Sequence, residues 1–243
     1  MIRLSVNVNK IATLRNSRGG ALPSVMAAVE TCLAAGAAGI TVHPREDERH
    51  NRAADVHEIA ERLEGARNVE YNIEGDPRPA WVELVLATAP DQATLVPVVQ
   101  GEITSHVGWS PDTPARPLGD TIARLKAKGI RVSLFVDPEE APVRWAQKMQ
   151  ADRIELYTEP FARAFEQSRA AGQASFARYA RAAELAHELG LGVNAGHDLN
   201  LENLVLFRTL PHLDEVSIGH ALISHAIWVG LERAVKDYIS ALR

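Results

Sequence analysis

The chain has 243 residues, of which 46% are hydrophobic and 23% charged, and its formal net charge at pH 7 is −5. This composition is ordinary for a globular domain, and the acidic balance argues against non-specific binding to nucleic acid. No apolar run approaches the roughly 18 residues of a membrane span, and the first residues lack the apolar core of a secretory signal. We therefore expect one domain over 1–243, without a membrane segment and cytoplasmic.

Short β-branched runs alternate with longer amphipathic runs along the whole chain. The predicted strands are 4–7, 39–43, 69–74, 93–96, 130–136, 153–157, 191–195 and 215–218. The predicted helices are 25–35, 55–63, one that opens at Trp81, 121–128, 138–149, 176–189, 201–210 and 226–242.

Eight strand–helix units without a break in composition predict an α/β fold, a (β/α)₈ TIM barrel with additional helices. An open, doubly wound sheet is the competing fold, but no Gly-x-Gly-x-x-Gly turn follows the first strand. Segments 101–117 and 161–175 are longer than a bare barrel loop requires, and the second is a candidate for an extra helix. Such loops usually form lids or interfaces.

Polar residues stand at or near the ends of most predicted strands: Asn7, His43, Glu74, Asp137, Glu155, His197 and His220. Barrel enzymes carry their chemistry at the carboxyl ends of the strands, whereas the barrel interior is filled mainly by Val, Ile and Leu. Titratable groups at so many strand ends therefore predict an enzyme.

The loops after the seventh and eighth strands read Ala195-Gly196-His197 and Ile218-Gly219-His220. This is the usual phosphate position in the fold. Glycine lets backbone amides approach an oxyanion closely, and a helix that begins there directs its positive end at the phosphate. Tight turns with ordinary polar neighbours are the alternative interpretation.

The loop after the second strand begins His43-Pro44-Arg45 and continues through an acidic and basic run to His50. A histidine here suits a base near neutral pH, and an arginine suits a phosphate. Residues 46–49 are expected to be a solvated charge run. Because Arg45 is unfavourable beside a cation and no zinc motif occurs, we expect no metal. The single cysteine, Cys32, is expected to be buried and inert.

Several long motifs resemble pyridoxine 5′-phosphate synthases of the deoxyxylulose-phosphate-dependent vitamin B6 pathway. They are 6–19, 39–47 with His50, 132–137, 193–197 and 218–221, and the resemblance covers nearly the whole chain. It implies a homo-octamer of barrels. It also implies that 1-deoxy-D-xylulose 5-phosphate and 3-amino-2-oxopropyl phosphate condense to pyridoxine 5′-phosphate, inorganic phosphate and water. The reaction is proton transfer throughout, without a redox cofactor.

The resemblance also implies roles for individual residues. His43 is the implied proton acceptor, Glu74 a second acid–base and His197 the proton donor. The implied ligands of the ketose phosphate are Arg45, His50 and Thr104. The implied ligands of the amino ketone, and later of the product phosphate, are Asn7, Arg18, Gly219 and His220.

Glu74 competes with Glu70, because Asn68-Val69-Glu70 and Asn72-Ile73-Glu74 both match the family pattern. Only Glu74 keeps the downstream block through 95–97 aligned without a gap, so we predict Glu74.

Three departures from the commoner family pattern bear on the substrates. Asn9 and Lys10 replace Asp-His in the ketose site, where Lys10 can still pair with the phosphate. Asp198 replaces a glycine near the other phosphate. Residues 97–101 lack the expected charges.

The sequence is also compatible with two other functions. One is a related barrel isomerase or aldolase that acts on another phosphorylated ketose, which Asn9 and Lys10 keep possible. The other is a non-catalytic phosphosugar-binding barrel. Binding alone does not require three acid–base groups, so His43, Glu74 and His197 argue against the latter.

Overall fold

The computed structural model of the chain describes residues 1–66, 68–97 and 107–243. Eight parallel strands close into a barrel in chain order, and the last strand pairs with the first. The strands are β1 (Arg3–Asn7), β2 (Gly39–Val42), β3 (Glu70–Gly75), β4 (Gln92–Leu95), β5 (Arg131–Val136), β6 (Arg153–Tyr157), β7 (Gly192–Gly196) and β8 (Leu213–Ile218). The predicted TIM barrel is confirmed, and every strand lies within two residues of its predicted bounds.

Helices surround the barrel and cover its outer face. They are α1 (Asn9–Asn16), α2 (Val25–Ala34), α3 (Ala53–Leu63), α4 (Pro79–Thr88), α5 (Ala115–Ala127), α6 (Glu140–Lys148), α7 (Glu159–Gln167), α8 (Arg169–Glu188), α9 (Leu204–Phe207), α10 (His220–Val229) and α11 (Leu231–Ala241). None of the helices in the described ranges is long and apolar enough to cross a membrane. Cys32 lies fully buried on α2, and burial raises the pKa of its thiol to about 12, as expected of an inert cysteine.

Helix α1 was not predicted, because its buried positions do not form an apolar stripe. They are Asn9, Ala12 and Arg15, two of them polar. The periodicity of buried apolar residues that marks a helix is therefore absent from this segment. The extra helix expected within 161–175 is present as parts of α7 and α8.

Two predicted helices are shortened or divided in the structure, and two others, 121–128 and 176–189, begin six and seven residues earlier, at Ala115 and Arg169. Only Leu204–Phe207 of 201–210 is helical, because Asn200 Oδ1 accepts the backbone N–H groups of Glu202 and Asn203. Side chains that bond nearby backbone in this way compete with a helix. The predicted helix 226–242 is two helices, α10 and α11, which meet at Gly230.

The amino ends of the strands hold a buried ion-pair cluster. Glu70 begins β3, and its carboxylate lies 3.0 Å from Arg3 Nη1 and 2.5 Å from Arg131 Nη2. Glu74 lies four residues further along the same strand, about 13 Å away. Because side chains alternate across a strand, both carboxylates face the barrel interior but at opposite ends.

A second ion pair, which is buried, joins α1 to α3 near the carboxyl ends of the strands. Arg15 on α1 donates through Nη1 and Nη2 to the carboxylate of Asp55 on α3, at 2.5 and 2.8 Å. Asp55 also accepts the backbone N–H of Arg52, the residue that precedes α3, at 2.7 Å. One carboxylate therefore caps α3 and ties it to α1, which begins beside the carboxyl ends of the strands.

Replacing Arg15 with Met should lower the free energy of unfolding by about 3 kcal/mol, because it leaves the buried Asp55 carboxylate without its charged partner. Urea denaturation followed by circular dichroism measures this loss. The matched control is Arg62→Met, which removes an exposed arginine paired with Glu30 and should change the free energy of unfolding little, because exposed ion pairs contribute little to stability. Equal losses in both variants would contradict a stabilising role of the buried Arg15–Asp55 pair.

Candidate active site

A cavity of about 390 Å³ opens at the carboxyl ends of the strands, a size ordinary for small-molecule sites. It brings together eleven of the thirteen residues predicted for the site: Asn7, Asn9, Lys10, His43, Arg45, His50, Glu74, His197, Asp198, Gly219 and His220. Arg18 is exposed and does not line the described cavity. Thr104 lies outside the described residues.

Glu74 sits at the centre of the polar contacts in the cavity. Asn7 Nδ2 donates to its Oε2 at 3.3 Å, and Ser217 Oγ donates to its Oε1 at 3.3 Å. His43 Nδ1 lies 3.6 Å from Glu74 Oε2. Both the imidazole and the carboxylate are largely buried, so two acid–base groups share one desolvated corner. Of the two candidates on β3, the geometry therefore places Glu74, and not Glu70, in the cavity.

Asn9 supports the backbone at His43. Its Oδ1 accepts the backbone N–H of His43 at 2.8 Å, and its own backbone N–H donates to Asn7 Oδ1 at 3.1 Å. Asn9 is only 8% exposed, so water has little access to the N–H of His43. The Asn9 side chain serves as the hydrogen-bond acceptor in its place. Asn9 thus fixes the chain where β2 ends, in addition to lining the cavity.

Basic residues from the start of α1 and from the loop after β2 line one part of the cavity. They are Lys10, Arg45 and His50. Burial, followed by the positive charges of His43, Arg45 and Lys10, lowers the pKa of His50 to about 3. His50 is therefore neutral at pH 7, and its Nδ1 is buried without a hydrogen-bond partner in the described structure. The two cations, Lys10 and Arg45, favour a dianion.

Another part of the cavity is formed by the start of α10, which follows β8 next to β1. Gly219, His220 and Ala221 line it, and the first amides of a helix have no partner within that helix. A Cβ on Gly219 would lie 3.1 Å from the backbone oxygen of Asn7, so a larger residue would press on β1. The positive end of the helix dipole and the first backbone amides of the helix together make the start of α10 suitable for binding a phosphate.

Glu155 and Ser217 line the cavity, although neither was assigned to the site from the sequence. Burial, then the negative charges of Glu74 and Glu215, raise the pKa of Glu155 well above its ordinary value, which favours its neutral form. A Cβ on Gly196 would lie 2.3 Å from Glu155 Oε1, so a larger residue there would displace the Glu155 carboxyl group. The available signal was the position of Glu155 on the inward face of β6.

His197 and Asp198 occupy a left-handed turn after β7, with φ of 90° and 58°. Each such residue other than glycine costs on the order of 1 kcal/mol or more, so the surrounding structure must hold it. Thr158 Oγ1 donates to the backbone oxygens of Gly196, at 2.8 Å, and of His197. Asn203 Nδ2 donates to the backbone oxygen of Asp198 at 3.0 Å. Both supports are buried.

Comparison with known proteins gives a family. The model of the family described as "Pyridoxal phosphate biosynthesis protein PdxJ" matches residues 4–243. The chain belongs to this family. It is 50% identical to a pyridoxine 5′-phosphate synthase of Christiangramia forsetii over the full length of both chains. It is also 50% identical to one of Leptospira biflexa, with 100% of this chain and 97% of that one covered.

Solved structures show the same architecture at low sequence identity. A phosphoribosylanthranilate isomerase of Thermotoga maritima matches with a TM-score of 0.59 at 12% identity, covering 100% of this chain and 98% of that one. A protein from Aquifex aeolicus matches with a TM-score of 0.66 at 15% identity, covering 100% and 93%. At this identity the similarity shows the barrel fold alone.

Asn9→Ala should expose the His43 amide to hydrogen exchange, because it removes the carboxamide oxygen that accepts this N–H and leaves a buried donor unpaired. A loss of about 1–3 kcal/mol in local protection, or about 5- to 150-fold faster exchange, is expected. NMR hydrogen exchange at the His43 amide measures it. Asn9→Asp keeps an oxygen acceptor and should retain most of the protection. Unchanged exchange in Asn9→Ala would refute this anchoring role.

Proposed function

We propose that the chain condenses 1-deoxy-D-xylulose 5-phosphate with 3-amino-2-oxopropyl phosphate to pyridoxine 5′-phosphate, releasing inorganic phosphate and water in this cavity. The observation that carries the proposal is the buried contact between His43 and Glu74, in a family member whose cavity is lined by cations and by a helix N-terminus. Full-length similarity to synthases favours this reaction over an isomerase or a binding protein.

The acid–base residues divide the proton transfers among them. Condensation of the primary amine with the ketose carbonyl forms a C=N bond and expels water, so two protons leave nitrogen and two reach the departing oxygen. His43 accepts a proton, Glu74 beside it exchanges protons with the later intermediates, and His197 donates. Three positioned groups suit a sequence in which each step moves a proton.

The two phosphates take different parts of the cavity. The ketose phosphate lies among Lys10, Arg45 and His50, where a dianion compensates the positive charges of Lys10 and Arg45. The amino ketone phosphate, and later the product phosphate, lies at the start of α10, with Asn7, Gly219 and His220 around it. The proposal also keeps Thr104 and Arg18 as phosphate ligands, on the family resemblance alone.

We further propose a cytoplasmic location and assembly into a homo-octamer, both on the family resemblance. Apolar side chains at the surface support association between chains. Trp228 and Ile227 near the end of α10 are 85% and 72% exposed. Surface aromatic residues of this kind usually mark an interface.

The wild-type protein should form pyridoxine 5′-phosphate and free phosphate when incubated with both phosphorylated substrates. Product fluorescence and a phosphate assay measure the two products, and a reaction that lacks either substrate is the control. No pyridoxine 5′-phosphate at high enzyme concentration would overturn the proposed function.

Within the same assay, Glu74→Gln should lower kcat by at least about 100-fold, because the amide cannot exchange protons. Glu70→Gln is the matched control, since it changes the same residue type on the same strand at the other end. It should lower stability by weakening the pairs with Arg3 and Arg131, while kcat changes by less than about 3-fold in the folded enzyme. The reverse pattern would assign the chemistry to Glu70.

Lys10→Met should raise KM for the ketose by about 10-fold and leave KM for the amino ketone within about 2-fold. A charge-assisted contact to phosphate is worth about 1.5 kcal/mol, or roughly tenfold in affinity. Steady-state kinetics with each substrate varied in turn measures the difference. Lys236→Met, on the exposed face of α11, is the control for loss of a positive charge. Equal effects on both substrates would remove Lys10 from the ketose site.

A further inference from the structure

His197 and Asp198 are neighbours in the chain whose side chains are also in contact. His197 Nδ1 lies 3.0 Å from Asp198 Oδ2. The left-handed turn held by Thr158 and Asn203 keeps the two side chains together. The His197 ring also makes a T-shaped contact with the ring of Tyr157, with centroids 5.1 Å apart and planes at 80°. Two independent contacts therefore fix the orientation of this imidazole.

The charge on Asp198 decides which ring nitrogen carries the proton. The hydrogen bond from His197, and then the positive charges of His197, His220 and Arg163, lower the pKa of Asp198 against the opposing effect of burial. The carboxylate is therefore ionised at neutral pH and can only accept hydrogen bonds. His197 must donate from Nδ1, which leaves Nε2 as the nitrogen that gains and loses a proton.

We propose that Asp198 is a positioning residue, which holds His197 in the Nδ1–H form so that Nε2 exchanges protons with the substrate. This inference rests on the proposed function, in which His197 is the proton donor. When Nε2 takes up a proton, the carboxylate faces the imidazolium that forms and compensates its charge, as in other carboxylate–histidine pairs. The contact also explains how Asp198 can lie near a phosphate site. Its carboxylate is directed toward His197, which limits repulsion between the two negative charges.

Three variants separate this role from a structural one. Asp198→Gly removes the carboxylate and suits the left-handed turn, since glycine adopts positive φ without strain. Its melting temperature should therefore equal or exceed that of the wild type. Asp198→Asn keeps the size and also tolerates positive φ, but its NH₂ group can donate to Nδ1 and select the wrong tautomer. Asp237→Asn is the control, because Asp237 pairs with His225 at 2.9 Å on α10 and α11, away from the described cavity.

The first measurement is NMR of ¹⁵N-histidine-labelled enzyme without substrate. In the wild type His197 should show a protonated Nδ1 and an unprotonated Nε2 at high pH, with a downfield Nδ1 proton. This preference should be lost in Asp198→Gly and Asp198→Asn and kept in Asp237→Asn. An Nε2–H form in the wild type, or an unchanged tautomer in both Asp198 variants, would overturn the proposal.

The second measurement is steady-state kinetics at saturating substrate. Asp198→Gly should lower kcat by about 10- to 100-fold, as loss of such supporting contacts does. Asp198→Asn should lower kcat at least as much despite its closer shape, while KM for both substrates stays within about 2-fold. Unchanged kcat, or raised KM with normal kcat, would show that Asp198 does not act through His197. If the wild type forms no product, the proposed function fails, whereas the NMR result still decides the tautomer.

Discussion

A chain of hydrogen bonds through two asparagines joins the ends of four strands and sets the shape of the site. The backbone N–H of His43 donates to Asn9, Asn9 donates to Asn7, and Asn7 donates to Glu74, which also accepts from Ser217. These residues come from β1, β2, β3 and β8 or from the residues just after them. Because the strands are locked by the closed barrel, the two acid–base groups cannot separate without breaking this chain.

The barrel interior allows carboxylates to play different roles at its two ends. Glu70 at the amino end is held by arginines, and burial followed by the charge of Glu70 raises the pKa of nearby Glu215 to about 8. At the carboxyl end, Glu74 contacts amide, hydroxyl and imidazole groups instead. Two arginines compensate the charge of Glu70, whereas Glu74 lines the cavity beside the imidazole of His43. The two ends of β3 therefore hold carboxylates in different surroundings.

The sequence predicts the barrel well because parallel strands buried on both faces leave a strong apolar pattern. Because the apolar runs also show where each strand ends, the sequence predicts which polar residues stand at the strand ends. It does not predict α1, whose buried Asn9 and Arg15 are held by specific polar partners instead of apolar packing. The sequence places Glu155 near a strand end, but it does not predict the raised pKa of this residue. That shift depends partly on Glu74 and Glu215, which only the closed barrel brings close to Glu155.

Two residues that differ from the commoner pattern of the resembled family contact the two histidines proposed for acid–base chemistry. Asn9 bonds the backbone at His43, and Asp198 bonds the ring of His197. A residue that supports an acid–base group changes how readily protons move, whereas a residue that touches phosphate changes which substrate binds. Of the three differing residues that line the cavity, Asn9, Lys10 and Asp198, only Lys10 is a cation proposed to bind phosphate. Variation in this cavity should therefore tune proton transfer more than substrate choice.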